Sequence, residues 1–336
     1  MHVGMSSIFQ GFGGTLSDRE VWEADLRLAD LAEPLGFESI WSVEHHFSNY
    51  TMCPDVLQYL SYFAGRTHTM QLGSMVVVLP WHDPIRVAEQ VAMLDNMSDG
   101  RVEFEGFGVD MNESREIFVE SAQLLLSTLE TGVAEFDGKH VKQVRRTIRP
   151  RPFKSFRDRT YAAAVSPESV DIMARLGVGI LIIPQKPWEV VAEELTSYRE
   201  AFRRLNGRDA PAPVVGGWTF CDEDEGRARE MAVKWIGGYW RTVLEHYELR
   251  GDHLKHTKGY EAYGRLQDIV SSGEGGADAA TQFFLDIQIW ARPSSASRGS
   301  CVSGASRGRT GTTASSATRA CRGTRPSGTC ASSRAR

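Results

Sequence analysis

The chain has 336 residues, of which 41% are hydrophobic and 10% aromatic, which is enough for one large α/β domain with a sizeable core. It contains no apolar run of about 18 residues and no basic stretch followed by an apolar one near its start, so we expect a cytoplasmic protein without a membrane span or signal peptide. The formal net charge is −5, and the two cysteines before residue 291, Cys53 and Cys221, have no metal-ligand spacing.

The first part of the chain alternates predicted strands and helices. Ser17 and Glu20 have the spacing of a capping box at the start of a helix, and Asp83-Pro84 is typical of an N-cap followed by a first helical turn. The predicted elements are a strand at His2–Ser7, a helix after Ser17, a strand at Glu38–Val43, a helix at Asp55–Thr67, a strand at Met70–Leu79 and a helix after Asp83.

The same alternation returns in the second part of the chain. The predicted elements are Thr160–Val165, Ser169–Leu176, Val178–Ile183, Trp188–Leu205, Val214–Phe220 and Glu225–His246. Strands separated by helices indicate parallel pairing with right-handed crossovers. Because no glycine-rich dinucleotide loop follows the first strand, we favour an α/β protein built as a (β/α)₈ TIM barrel over an open doubly wound sheet.

Polar residues lie where the second predicted strand ends, within Trp41–Phe47. Side chains alternate along a strand, so His45 should face one side and Glu44 and His46 the other. In a barrel of this kind the carboxyl ends of the strands carry the chemistry, which makes His45 a candidate catalytic residue. A hydrogen-bonded structural histidine is the more common case, and a metal site from His45, His46 and His82 is the least favoured reading.

A second candidate site is the point where a predicted strand runs directly into a helix at Ser166-Pro167. Backbone N–H groups and a serine hydroxyl at a helix N-terminus can bind a phosphate. The commoner interpretation is that Ser166 only caps the helix, with Pro167 at its first position.

Taken in order, these motifs resemble the luciferase-like flavin-dependent monooxygenases, close to the alkanal monooxygenase alpha-chain branch. The resemblance covers residues 1–290 and includes the final candidate stretch at Ser166–Ser169. The other matching stretches are Gly36–Trp41, Glu44–Phe47, Leu72–Ser74, Val78–Pro80, His82–Arg86, Leu94–Arg101 and Asp110–Arg115.

The resemblance implies a flavoprotein that binds reduced FMN, supplied by a separate reductase, and uses it with O₂ to oxidise a small organic substrate. It implies that His45 is the catalytic histidine, that a non-proline cis peptide bond at Met75-Val76 lies beneath the flavin ring, and that Ser166 binds the FMN phosphate. An imidazole that titrates near neutrality would suit the role of His45. A homo- or heterodimer is also implied, with neither nucleic acid nor membrane as a partner, and a deazaflavin-using relative is the closest variant.

One departure from the family lies directly after Asp99-Gly100-Arg101. The family has a further strand there, whose arginine binds the flavin phosphate, whereas here Val102–Phe107 resembles the segment beyond that strand. We therefore expect one internal strand and the phosphate arginine to be missing, and Arg101 belongs to the preceding motif and does not replace it.

The second departure is residues 291–336, which contain nine arginines and no Asp, Glu or Lys. Back-translation with GC-rich codons, read in another frame, restores family-like sequence in three windows, the first being GTPEQC after Trp290. We infer a lost base near codon 290 and expect a disordered Arg/Ser/Gly-rich tail, after a barrel domain at residues 1–290 that lacks its last strand and helix. A nucleic-acid-binding arm is the less favoured alternative.

Three functional hypotheses follow. The first is an FMN-dependent monooxygenase. The second is a catalytically dead or truncated remnant of such an enzyme, since two parts of the barrel are expected to be absent. The third and least favoured is a metal-dependent barrel hydrolase.

Overall fold

The computed structural model describes residues 2–11, 16–47, 50–106, 114–163, 167–246, 276–291 and 312–317. The strands are β1 (His2–Ser7), β2 (Ser39–Ser42), β3 (Gln71–Ser74), β4 (Val102–Glu105), β5 (Val133–Asp137), β6 (Lys142–Thr147), β7 (Thr160–Ala163), β8 (Gly179–Ile182), β9 (Val214–Cys221), β10 (Ile289–Ala291) and β11 (Thr312–Ala317). The helices are α1 (Asp18–Ala29), α2 (Val56–Ala64), α3 (Pro84–Met97), α4 (Ser114–Thr131), α5 (Pro167–Leu176), α6 (Trp188–Asn206), α7 (Glu225–His246) and α8 (Gly276–Asp286).

Eight of these strands form one curled parallel sheet in the order β9, β11, β1, β2, β3, β4, β7 and β8. Strand β8 also pairs in parallel with β9, which joins the two ends of the sheet. The prediction of a (β/α)₈ barrel is therefore confirmed. Strand β10 adds to the far end of β9, and β5 with β6 forms a separate antiparallel hairpin.

Several helix starts follow directly from local sequence. The capping box of α1 is present, because Ser17 accepts a hydrogen bond from the Glu20 N–H and Glu20 accepts one from the Ser17 N–H. Asp83 caps α3 by accepting from two N–H groups in the first turn. No helix within the described residues combines the length and apolarity of a membrane span.

The predicted strand at Met70–Leu79 is longer than the observed strand β3. The apolar run suggested a strand to Leu79, but the strand ends at Ser74. Val77 and Leu79 are buried all the same, each 1% exposed, because they lie in the segment that follows β3 and pack into the main hydrophobic core. Apolar residues that cover a barrel end and those that continue a strand look alike in sequence.

Trp41 of β2 fills the centre of the barrel and is completely buried. Its neighbours on β1 and β3 are Gly4 and Gly73, where an added Cβ would lie 2.7 and 2.1 Å from the nearest indole atoms. A close-packed interior has no room for those methyl groups, so the two glycines are required by the tryptophan between them. The indole N–H donates to Ser39 Oγ at 2.8 Å.

The expected loss of one internal strand is wrong as a statement about the fold. Val102–Glu105 itself forms β4 and pairs with β3 and β7, in the position of the strand expected to be absent. Strand pairing uses backbone groups that every residue carries, so a neighbouring segment can complete the ladder. This change of segment alters which side chains face the barrel interior. Val102 and Phe104 join the outer core, which leaves Glu103 and Glu105 on the inner side.

The expected loss of the last strand is also wrong, because 312–317 form β11 between β9 and β1. For the rest of the predicted tail at 291–336, disorder for want of apolar side chains stays a prediction. The ladder of β11 depends on backbone hydrogen bonds to both neighbours, which need no apolar side chain. Apart from Ala291, the other residues of that stretch lie outside the described part of the chain.

Candidate active site

Three loops meet at the carboxyl ends of β1, β2 and β3. The Met52 N–H donates to the Phe9 carbonyl at 3.1 Å, and the His45 N–H donates to the Cys53 carbonyl at 3.0 Å. The end of the barrel at which catalytic residues of this fold lie is therefore built largely by the chain between His45 and Cys53, residues 48 and 49 being outside the described set.

His45 is half-buried within a cluster of rings. Its imidazole meets the Tyr50 ring edge-on at a centroid distance of 4.9 Å and the His246 ring at 5.3 Å. His246, the last residue of α7, stacks on Tyr50 at 4.5 Å. His45 therefore points towards α7, whose last residue is His246.

The pKa of His45 is lowered to about 4, chiefly by burial and further by the neighbouring His246 and His46. Burial also lowers the pKa of His246. The expectation that His45 titrates near neutrality is thus wrong, because a charged imidazole here would lose its hydration and face a second imidazole. At pH 7 the ring of His45 is neutral and offers one N–H donor and one lone pair.

Aromatic residues of β9 and α7 form one wall of this cluster. The Tyr50 and Tyr239 hydroxyl oxygens lie 2.5 Å apart, and the Tyr239 ring packs on Trp218 at 4.1 Å. No sequence motif marks Tyr50, Tyr239 or His246 as residues of this site. The helical periodicity of α7 placed Tyr239 on an apolar face, but nothing local shows that this face covers the ends of β1 and β2.

Glu44 and His46 lie on the other side of the β2 extension, as predicted from side-chain alternation. Glu44 Oε1 accepts from His46 Nε2 at 2.7 Å and from His82 Nε2 at 2.8 Å, while Oε2 accepts from the Val78 N–H at 2.9 Å. His45 takes no part, and the described residues hold no group of three or more His, Cys, Asp or Glu side chains arranged to bind a metal ion.

The peptide bond between Met75 and Val76 is cis, as the family resemblance implied. Met75 is buried and Val76 half-buried, where the chain leaves β3. This segment is held at both sides, because the Met75 N–H donates to the Ser42 carbonyl and the Val77 N–H donates to the Glu105 carbonyl, each at 2.8 Å. The result is an apolar shelf at the same barrel end as His45.

Beneath this shelf lie the two carboxyl groups of β4. Glu105 is completely buried and Glu103 is 7% exposed. Burial raises the pKa of Glu103 to about 7, with Arg159 opposing the change, and raises that of Glu105 well above its usual value. Neither carboxyl oxygen of Glu105 has a hydrogen-bond partner of good geometry among the described residues, although the nearby Ala163 amide opposes part of the rise in its pKa. Glu105 is therefore favoured as the protonated acid, and Glu103 loses its proton only as the pH rises through about 7.

The predicted phosphate contact at Ser166 stays a prediction. Ser166 lies outside the described residues, although α5 begins at the next position. Arg101 is engaged at the opposite end of β4, where its guanidinium donates to the carbonyls of Ala64 and Met70 and to Thr67 Oγ1. Arg101 is therefore no substitute for a phosphate-binding arginine, as the sequence indicated.

Apolar and polar groups lie together at this end of the barrel. Met75 and Val76 supply the apolar surface, and Gln10 Oε1 and Thr51 Oγ1 are buried acceptors without hydrogen-bond partners among the described residues. Buried polar atoms of this kind are normally satisfied by a ligand or by water. His45 lies at the same end of the barrel, beside Tyr50 and His246.

A parallel eight-stranded barrel with polar side chains gathered at the carboxyl ends of its strands is the arrangement of a barrel enzyme. The model of the family described as luciferase-like monooxygenase matches residues 1–287, and the chain belongs to that family.

Curated relatives and solved structures agree with this assignment. The alkanal monooxygenase alpha chain of Photorhabdus luminescens is 25% identical over 288 residues, which cover 81% of this chain and 79% of the relative. The oxygenating constituent of 3,6-diketocamphane monooxygenase from Pseudomonas putida, solved in complex with FMN, has a TM-score of 0.74 at 15% identity and covers 95% of this chain and 92% of its own. The coenzyme F420-dependent tetrahydromethanopterin reductase of Methanopyrus kandleri has a TM-score of 0.65 at 16% identity, covering 94% and 93%. These two structures share the fold and differ in cofactor.

Proposed function

We propose that this chain is an FMN-dependent monooxygenase that uses reduced flavin and O₂ to oxidise a small organic substrate. The observation that carries the proposal is the placing of His45 and the Met75-Val76 shelf at one barrel end, in a chain of the luciferase-like family. Reduced FMN from a separate reductase, a dimeric assembly and a cytoplasmic location belong to the same proposal.

Each residue has a defined task in this proposal. Reduced FMN supplies the electrons that activate O₂ when it is bound. Met75 and Val76 support the flavin ring, and Ser166 binds its phosphate. His45 is the catalytic residue, and as a neutral imidazole it holds or accepts a proton at a ring nitrogen beside the cofactor. The rings of Tyr50, Tyr239 and Trp218 exclude water from that side.

A catalytically dead remnant is the alternative, and the buried carboxyl groups of β4 favour it. Glu105 is completely buried beneath the shelf as a protonated acid, and a polar group buried in the barrel interior costs stability. The expected phosphate arginine also has no replacement in the part of the chain that is described. Flavin affinity of the 336-residue chain separates the two functions.

The test is an anaerobic titration of the full chain with reduced FMN and, in parallel, with reduced F420, followed by rapid mixing with O₂. Micromolar binding of reduced FMN, together with a reoxidation rate that differs from that of free FMN, is expected. His45→Gln should leave the Kd within about threefold and change the reoxidation rate by about 10²-fold or more, as loss of a general acid–base group does. His140→Gln, on the β5–β6 hairpin, is the control. Binding of F420 alone would point to a deazaflavin enzyme, and binding of neither would support the remnant.

A further inference from the structure

The segment Met75–Val78, which extends the Met75-Val76 shelf and is included in it from here on, is held by three hydrogen bonds of two different kinds. The Met75 and Val77 amides donate to backbone carbonyls of Ser42 and Glu105, which any sequence could supply. The Val78 amide donates instead to a side chain, Glu44 Oε2, at 2.9 Å. The far end of the shelf therefore depends on the identity of a residue on another strand.

The Glu44 carboxylate is buried, and both of its oxygens accept hydrogen bonds. Its side chain is 1% exposed, and a buried carboxylate is costly unless its oxygens are bonded to donors. Oε1 meets that requirement by accepting from His46 and His82, which leaves Oε2 to accept from the Val78 amide. The two imidazoles thus hold the carboxylate in the orientation that reaches the shelf.

His82 also ties the other end of the same segment to Glu44. It lies four residues beyond Val78, after a 3₁₀ turn at Leu79–Trp81. The Trp81 ring stacks almost parallel on His46, with centroids 4.8 Å apart and planes inclined by 6°. Glu44 and His46, from the β2 side, therefore hold the chain from Val78 to His82 at both of its ends.

We propose that Glu44 is a positioning residue, which fixes the Val78 end of the flavin shelf through its contacts with His46, His82 and the Val78 amide. The proposal rests on the proposed function for the statement that a flavin lies on this shelf. Glu44 does not face His45, so its contribution acts through the shelf and not through proton transfer at the catalytic imidazole.

Hydrogen–deuterium exchange of the flavin-free chain tests the positioning directly. In Glu44→Ala we expect the peptide covering residues 75–82 to exchange at least about tenfold faster, because the Val78 amide loses its acceptor and two imidazoles lose theirs. Glu44→Gln keeps an acceptor for Val78 and should change exchange less than about threefold. His82→Ala, which removes one donor and leaves the carboxylate in place, should give an intermediate increase.

Asp95→Asn provides the matched control. Asp95 is also a completely buried carboxylate, paired with Arg159 at 2.9 Å, but it lies on α3 away from the shelf. It should lower overall stability without selective exchange at residues 75–82. Reduced-FMN titrations complete the set, with a Kd about tenfold or more higher in Glu44→Ala, near the parent in Glu44→Gln, and unchanged in Asp95→Asn.

The outcomes separate this inference from the proposed function. Unchanged exchange at residues 75–82 in both Glu44→Ala and His82→Ala would overturn the positioning role, as would an equal loosening in Asp95→Asn. Faster exchange with an unaltered flavin Kd would overturn its link to the cofactor. If the parent chain binds neither FMN nor F420, the proposed function fails, and the statement that the shelf carries a flavin is overturned with it.

Discussion

Replacing Glu103 with Gln should stabilise the protein at alkaline pH. Glu103 faces the barrel interior from β4, with an oxygen that has no hydrogen-bond partner among the described residues. Glutamine has nearly the same shape and carries no charge, so it removes the cost of a buried carboxylate without opening a cavity.

The size and sign of the effect follow from the pKa of Glu103, which burial raises from 4.5 to about 7. The folded protein therefore holds this proton more tightly than the unfolded chain does. The stabilising contribution of the proton on Glu103 is fully present below about pH 4.5, is lost as pH rises through about 7, and stays lost above that value. At about 1.4 kcal/mol for each pKa unit, the loss approaches about 3 kcal/mol.

Urea denaturation of the parent and Glu103→Gln at pH 5 and pH 8, followed by circular dichroism, measures the effect. From pH 5 to pH 8 the free energy of unfolding of the parent should fall by about 2–3 kcal/mol more than that of Glu103→Gln. Glu135→Gln, on the exposed face of the hairpin, is the control and should change the pH dependence little. Equal pH dependence in the parent and Glu103→Gln would refute the assignment of Glu103 to a buried position where its pKa is raised.

Three further predictions concern the barrel end and the core. His246→Gln should raise the pKa of His45 from about 4 towards its usual value, since one neighbouring imidazole is removed. A pH titration of the His45 ring protons by NMR measures this pKa, and an unchanged midpoint would contradict the contact between the two rings. Gly73→Ala should destabilise the fold by about 3 kcal/mol or more, because its methyl group would overlap the Trp41 ring. Adding Trp41→Leu to the same chain should recover part of the lost stability, as measured by thermal unfolding. Asp83→Ala should cost about 1 kcal/mol in urea denaturation through loss of the α3 cap, and no loss would argue against that cap.

Local chemistry accounts for what the sequence predicted well. The capping box at Ser17 and Glu20 and the cap at Asp83 depend on neighbours within four residues, and both are present. Alternation along a strand correctly separated His45 from Glu44 and His46. The family resemblance supplied the cis bond at Met75-Val76, which no local pattern indicates.

Features that depend on distant segments were not predictable in this way. The meeting of Glu44 with His82 joins residues 38 apart in sequence, and that of His45 with His246 joins the second strand to α7. The expected gap at β4 was inferred from family spacing, whereas the ladder was completed by the adjacent residues. Whether Ser166 binds phosphate stays a prediction, because it lies outside the described residues.

The strand that closes the barrel has a consequence for synthesis on the ribosome. His2 pairs with Thr312, so one edge of the first strand has no neighbour until about 310 further residues have been translated. At about 5–20 residues per second, that edge remains open for roughly 15–60 seconds. During this interval the nascent chain presents unpaired backbone to other chains, which makes chaperone capture of the emerging barrel a natural part of its production.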